Sequence, residues 1–359
     1  MENGINTKKL TDIIELAGER KASDIHLAVG AAPLLRIDGV LSPVEEEVIT
    51  AEDMEQWIEL LLDDKQREQL SEAGELCISC QLPVGCYLRA NIIRQRGGHA
   101  MTLHVLSQEI PTMESLGIPK KVSTLMGHRK GLLLLAGEKG SGKTTTMTSL
   151  VASYAKEQVK SVITLEKPIE YVYPQGASMI LQREIGQDTA DWSKGIQSAM
   201  AQDADVICVG ELSDAAAIQM ALSAAKMGHL VLASVSADSA VDALESLVGA
   251  CPEEQRAQIQ NALADTLVGV VAQQLLPKQN AGGRVAAYEV LLATQTAETL
   301  IRENKLYQLA TLIQSSHKEG MQTMDDAIYD LYLKSEISSE IAISYAKDPL
   351  GMTQKVQLF

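Results

Sequence analysis

Three glycines, a serine, two lysines and two threonines crowd into Gly137-Glu138-Lys139-Gly140-Ser141-Gly142-Lys143-Thr144-Thr145, directly after the apolar run Leu132-Leu133-Leu134-Leu135-Ala136. That order predicts a buried strand that breaks into a tight loop and then a helix. Glycines at 137, 140 and 142 let the backbone turn sharply and aim its N–H groups inward, so a polyphosphate can rest on them and on the positive helix end. Lys143 then reaches the β- and γ-phosphates and Thr144 holds Mg2+, with Lys139, Ser141 and Thr145 counted in the same contact set. A glycine-rich turn with an accidental Lys-Thr is the competing reading. It is set aside because strand, loop and helix occur in the order that phosphate binding needs, which makes this a site for a nucleoside triphosphate with Mg2+.

Hydrolysis asks for more: a carboxylate to orient the attacking water, a carboxylate near the metal, and positive charge on the phosphoryl oxygens. Asp205-Val206-Ile207-Cys208-Val209-Gly210-Glu211 has the apolar strand and acidic end of a Walker B motif, which places Glu211 beside Mg2+ with Thr144.

Elements must position these groups. Apolar runs of strand length at Gly131 to Ala136, Ser161 to Leu165, Val206 to Val209 and His229 to Val235 alternate with helical stretches at Thr145 to Glu157 and Ala215 to Lys226. Such alternation predicts an α/β domain with a parallel, helix-covered sheet and ligands at the carboxyl ends of its strands. Ile259 to Pro277, interrupted by Asn261, Asp265, Gln273 and Gln274, reads as a buried helix, and the tail from about 290 reads as helical throughout. Residues 1–107 instead mix a leading helix (Thr7 to Glu19), short strands such as Leu34 to Ile37, a helix from Ala51 to about Leu70 and a strand at Tyr87 to Ile93. Pro111, Gly117 and Pro119 mark a linker over 108–119, leaving a second domain at 120–359.

Composition narrows the function. The chain has 359 residues, 46% hydrophobic, enough for two cores. With 31 Lys plus Arg against 47 Asp plus Glu the net charge is −16, and aromatic residues are only 3%. A single-strand groove needs basic residues and stacking rings, so nucleic acid is not a predicted partner. Cys77, Cys80, Cys86, Cys208 and Cys251 are odd in number and scattered, which suggests reduced, buried thiols; the lone CxxC at Cys77 and Cys80 lacks the second pair a zinc site needs. The start of the chain is not a secretory signal, and no uninterrupted apolar run spans a membrane, so a cytoplasmic protein is predicted.

These motifs resemble the hexameric secretion and type IV pilus motor ATPases, and within them most closely the PilT-like retraction ATPases of twitching motility. The resemblance covers nearly the whole chain. It is carried by Ala22-Ser23-Asp24-Ile25-His26-Leu27, Arg36-Ile37-Asp38-Gly39, Gln182-Arg183-Glu184, Gly228-His229-Leu230-Val231 and Gly320-Met321-Gln322-Thr323-Met324-Asp325, in the family's order. It implies a PAS-like α+β domain followed by a RecA-like P-loop ATPase domain with a helical C-terminal tail, six subunits in a ring, and ATP held between neighbours. It also implies a motor at the inner face of the cell membrane. That motor would turn a membrane platform protein as the two domains close and reopen about the 108–119 hinge, alone or with a paralogous motor ATPase.

Residue by residue, Glu166 in Glu166-Lys167-Pro168-Ile169-Glu170 resembles the family's Asp box and so becomes the water-orienting base. His229 resembles its His-box residue, which would sense the γ-phosphate or bridge subunits; a structural histidine is the alternative. Arg89 and Arg96 match arginines that the family points at a neighbour's ATP, although plain surface arginines fit the same spacing. The chain departs from the family pattern at Lys167 (Asp in the family), Ala201 and Ser213 (Arg) and Ser236 (His). Thr296 to Glu303 matches the retraction motif only in its second half. These departures keep open a nucleotide-binding regulatory or structural subunit with weak hydrolysis. A pilus-assembly or type II secretion ATPase is the nearer variant, disfavoured by a short N-terminal domain and the lack of a four-cysteine zinc site.

Overall fold

The structure is a computed structural model that describes residues 7–20, 22–37, 40–44, 48–81, 87–106, 109–174, 176–279 and 282–357. Asp38, Gly39, Cys86 and the first residue of the expected linker, Gln108, lie outside the described residues. The chain divides into two units, residues 1–108 with 168–172 and residues 109–167 with 173–359.

In the first unit the order is α1 (Thr7–Glu19), β1 (Asp24–Ala28), β2 (Leu34–Ile37), β3 (Val40–Pro43), α2 (Ala51–Leu61), α3 (Asp64–Ala73), β4 (Glu75–Gln81), β5 (Tyr87–Gln95) and β6 (Gly98–Val105). The six strands form one antiparallel sheet, β3-β2-β1-β6-β5-β4. Leu10, Ile13, Ile14 and Ala17 recur at helical spacing on α1 and are all buried, as are Trp57 and Met54 on α2. The single helix predicted from Ala51 to about Leu70 is two helices. Leu62 is extended, and Asp63 starts a new helix through a capping box with Gln66: its carboxylate accepts from the Gln66 N–H at 2.9 Å, and its own N–H donates to the Gln66 side chain at 3.0 Å.

The second unit continues with α4 (Lys120–Leu125), β7 (Gly131–Ala136), α5 (Lys143–Glu157), β8 (Ser161–Glu166), β9 (Met179–Glu184), α6 (Trp192–Ala201), β10 (Val206–Val209), α7 (Ala215–Met227), β11 (Leu230–Val235), α8 (Ala240–Gly249), α9 (Glu253–Thr266), β12 (Leu267–Pro277) and β13 (Arg284–Leu292). Five helices close it: α10 (Gln295–Arg302), α11 (Leu309–Ser315), α12 (Met324–Leu333), α13 (Ser339–Tyr345) and α14 (Pro349–Gln357). The sheet order is β13-β12-β7-β11-β10-β8-β9; β13 runs antiparallel to β12 and the other pairings are parallel. Helices cover both faces, so β7, β10 and β11 are buried along their full length and read as unbroken apolar runs.

Two expectations fail here. Ile259 to Pro277 is not one helix: α9 ends at Thr266 and the remainder is β12, whose first seven residues are buried. The cysteines are not uniformly buried either. Cys208 and Cys251 are, but Cys77 is exposed and Cys80 half-buried; three residues apart on β4, they fall on opposite faces, which does not suit a shared metal ion. Among the described residues no cluster of His, Cys, Asp or Glu could hold a metal on its own, and no helix is long and apolar enough to cross a membrane.

Candidate nucleotide site

The loop leaves the carboxyl end of β7, central in the sheet between β12 and β11. Gly137 (φ +154°) and Gly142 (φ +90°) have conformations that L side chains rarely adopt. A Cβ at Gly137 would lie 2.6 Å from the Gln273 carbonyl, and one at Gly142 would lie 2.8 Å from the Gln273 side-chain amide. Close approach of β12, as well as curvature, therefore demands glycine at both positions. Lys143 opens α5, so the loop's N–H groups and the positive helix end face the same space.

Lys143 folds back on its own loop, its ammonium donating to the carbonyls of Gly137 at 2.6 Å and Glu138 at 2.8 Å. Burial holds it below the ordinary lysine range, offset in part by the negative charge of Glu211 and then of Glu138. Thr144 and Thr145 are half-buried in the first helical turn, and Lys139 and Gly140 are exposed at the loop tip. The Ser141 hydroxyl is buried without a protein partner. An orphaned hydroxyl in a cradle of amides fits a phosphate oxygen, and hydroxyl and carboxylate oxygens from Thr144 and Glu211 suit a hard cation such as Mg2+.

Glu166 and Glu211 follow neighbouring strand ends. Leu165 pairs with Val209 in register, and the Gly210 N–H donates to the Leu165 carbonyl at 2.8 Å. The Glu166 carboxylate accepts from the Thr164 hydroxyl at 2.6 Å and from the Gln182 amide at 3.0 Å; Gln182 in turn accepts from the Tyr173 N–H at 3.1 Å. Thr164 shares the Glu166 face of β8, two residues back, and Gln182 stands opposite Thr164 on β9. These two positioning residues were not identified from the sequence, although Gln182 belongs to one of its landmarks. Lys167, Ala201, Ser213 and Ser236 are all exposed.

His229 stands away from the phosphate loop of its own chain. It precedes β11, whose amino end pairs with Gly131 and whose carboxyl end pairs with Ala136 just before the loop. Six strand residues at about 3.3 Å each put it roughly 20 Å from the phosphate loop of the same chain. Its Nδ1 donates to the Ala204 carbonyl at 2.6 Å, which ties the start of β11 to the turn before β10. Contact with a γ-phosphate bound by its own loop is thereby excluded. Arg89 lies on β5 on the face opposite buried Leu88, Ala90 and Ile92, and Arg96 is exposed in the β5–β6 turn; both belong to the first unit.

Three further groups escaped the sequence reading. Gln273, 6% exposed on β12, donates to the Ser141 carbonyl at 2.7 Å and accepts from the Thr146 hydroxyl at 2.7 Å, bracing the loop and the first turn of α5 together. Arg284 and the segment Tyr345 to Lys347 line, with Gly137 to Ser141, a cleft of about 480 Å³. A polar residue inside an otherwise buried strand is the signal that marks Gln273.

Residues 2–337 match the Type II/IV secretion system protein family. The chain is 33% identical over 340 residues to the type IV pilus retraction ATPase PilT of Pseudomonas aeruginosa, covering 95% of this chain and 98% of that protein. It is 31% identical over 346 residues to the type IV pilus ATPase PilU of the same organism, covering 96% and 91%. A crystal structure of the pilus retraction motor PilT with bound ADP superposes with a TM-score of 0.88 at 36% identity, over 96% of this chain and 98% of that one. The chain belongs to the Type II/IV secretion system protein family.

Proposed function

We propose that the chain is a subunit of an ATP-hydrolysing motor that powers type IV pilus retraction in twitching motility. One observation carries the reading: the Lys143 ammonium, within the electrostatic reach of Glu211, stands at the carboxyl ends of the same sheet that presents Glu166 beside Gly210. The loop amides from Gly137 to Thr145 bind the phosphates, and Lys143 exchanges its two carbonyl partners for phosphate oxygens. Glu166, aimed by Thr164 and Gln182, orients the attacking water and takes its proton. Thr144 and Glu211 would hold Mg2+, whose charge would offset that developing on the transferred phosphoryl group.

The same proposal includes a PAS-like domain at 1–107 and a RecA-like domain at 120–359, assembled as a homo-hexamer in which Arg89 and Arg96 approach a neighbour's ATP. It places the ring in the cytoplasm against an inner-membrane platform protein. Ile118 is buried in the second unit's core, and the Leu116 carbonyl accepts from the Tyr288 hydroxyl at 3.1 Å. Leu116 and Ile118, within the proposed 108–119 linker, are therefore anchored on the second unit.

Steady-state phosphate release tests the enzyme, with Lys143→Ala as control: turnover that this variant abolishes is expected, and equal rates in both proteins would refute it. A second reading rests on Lys167, Ala201, Ser213 and Ser236, the exposed positions where the family's charged residues are replaced. In it the chain joins rings with a paralogous motor and binds ATP with little turnover of its own. Brisk hydrolysis by the purified chain would exclude that reading.

A further inference from the structure

The cleft beside the phosphate loop is closed on its far side by a segment more than two hundred positions later in the chain. Tyr345, Ala346 and Lys347 face Gly137 to Ser141 across it. Lys347 also lines a second cavity, of about 620 Å³, enclosed by α8, α11, α12 and the start of α14. Lys347 and Met324 line both spaces, and Lys347 is the charged one of the two.

Its backbone is firmly held and its side chain is not. The Asp325 carboxylate accepts from the Lys347 N–H at 2.7 Å and from the Asp348 N–H at 3.0 Å, pinning the turn between α13 and α14. The ammonium, by contrast, belongs to a side chain 49% exposed, and its contact with Glu289 is 3.4 Å, long for a charge-assisted hydrogen bond. Glu289 is 5% exposed on β13, and its other oxygen accepts from the Ala240 N–H at 2.7 Å, at the start of α8. The buried carboxylate therefore keeps one rigid partner, a helix amide, and one movable partner, Lys347. A triphosphate in the adjoining cleft carries several negative charges where Glu289 carries one, so it competes for the ammonium from that side.

We propose that Lys347 is a second nucleotide-binding cation, supplied by the C-terminal segment, which transfers from Glu289 to the anionic nucleotide when the phosphate loop is occupied. The transfer reports occupancy to α12, α13 and α14 through the turn that Asp325 holds, and to α8 through Glu289. This inference rests on the reading of residues 137–145 as a nucleotide site. The other charged groups around the exchange are Asp242, Asp348 and the Lys355–Asp326 pair at 3.0 Å in the second cavity, and Lys139, Glu138, Asp238 and Arg284 in the first.

Titration of the full chain with a fluorescent ATP analogue and Mg2+ tests it. Lys347→Met is expected to weaken binding by about fivefold or more, the loss of one charge-assisted contact, and Lys347→Arg to stay within about twofold of wild type. Glu289→Gln, which keeps an acceptor for Ala240 but removes the competing charge, is expected to tighten binding by about twofold or more. A merely structural ion pair would make both the Met and the Gln variants bind more weakly. That result, or no change in either while wild type binds normally, overturns the exchange. Unsaturable binding by wild type, or undiminished binding by Lys143→Ala, overturns the nucleotide-site reading instead. Amide exchange across residues 339–357 supplies an independent readout: nucleotide should alter it in wild type and leave it unaltered in Lys347→Met.

Discussion

Gln273 on β12 holds Ser141 in the phosphate loop, its side-chain amide donating to the Ser141 carbonyl at 2.7 Å while its oxygen accepts from Thr146 one turn into α5. Gln273→Leu would take this donor from the buried Ser141 carbonyl and this acceptor from the Thr146 hydroxyl. Each such loss costs about 1–3 kcal/mol. The expected outcome is a lower midpoint in denaturant unfolding together with weakened ATP binding, because the loop loses its brace. Wild-type stability in the Leu variant would show that the brace contributes nothing.

The Lys160–Asp205 pair at 2.8 Å joins the amino ends of β8 and β10. The Lys160 ammonium, and after it the Ser161 N–H, hold the Asp205 carboxyl below the ordinary aspartate value of 3.8 against the opposing effect of burial. A carboxyl whose folded-state pKa is depressed contributes stability that is present above its unfolded pKa and lost as the pH falls through its folded pKa. Asp205→Asn should therefore lower the melting temperature at pH 7, and the gap from wild type should close as the pH drops below 3.8. Thermal melts at a series of pH values check this; a gap independent of pH would mean that the charge is not what matters.

His229 makes the third prediction. Its imidazole braces the turn before β10 and stands at the sheet's far end from Lys143. His229→Ala should cost roughly 0.5–1.5 kcal/mol of stability, the worth of one hydrogen bond. The affinity of the single chain for ATP should remain within about twofold, since the side chain is about 20 Å from the loop. A large loss of affinity without a loss of stability would restore a ligand role.

The phosphate loop was legible because its chemistry is local: strand, glycines, lysine and helix follow one another within fifteen residues, and no distant segment is needed to recognise them. The Walker B strand was legible for the same reason. Ile259 to Pro277 was misread because β12 is buried on both faces, which erases the two-residue alternation by which a strand is known. The break after Leu61 was missed although Asp63 and Gln66 spell a capping box, since the run from Lys65 to Leu70 consists of strong helix formers that extend the same reading. His229 was drawn to the site by its neighbours in sequence. A parallel strand nevertheless separates its two ends by its whole length, and direction along the strand decides which end meets the ligand. Gln273 and Lys347 are the products of tertiary folding, brought to the loop by β12 and by the turn after α13. No local pattern around residue 143 announces them.

The account stands on carboxylates that act upon a triphosphate held ahead of Lys143. Single-turnover hydrolysis by wild type and Glu166→Gln, with the ATP affinity of each measured alongside, tests it most directly. The account predicts affinities within about twofold and a hydrolysis rate reduced by about a hundredfold or more in the variant, the range lost when a positioned general base is removed. Equal rates in the two proteins would contradict it.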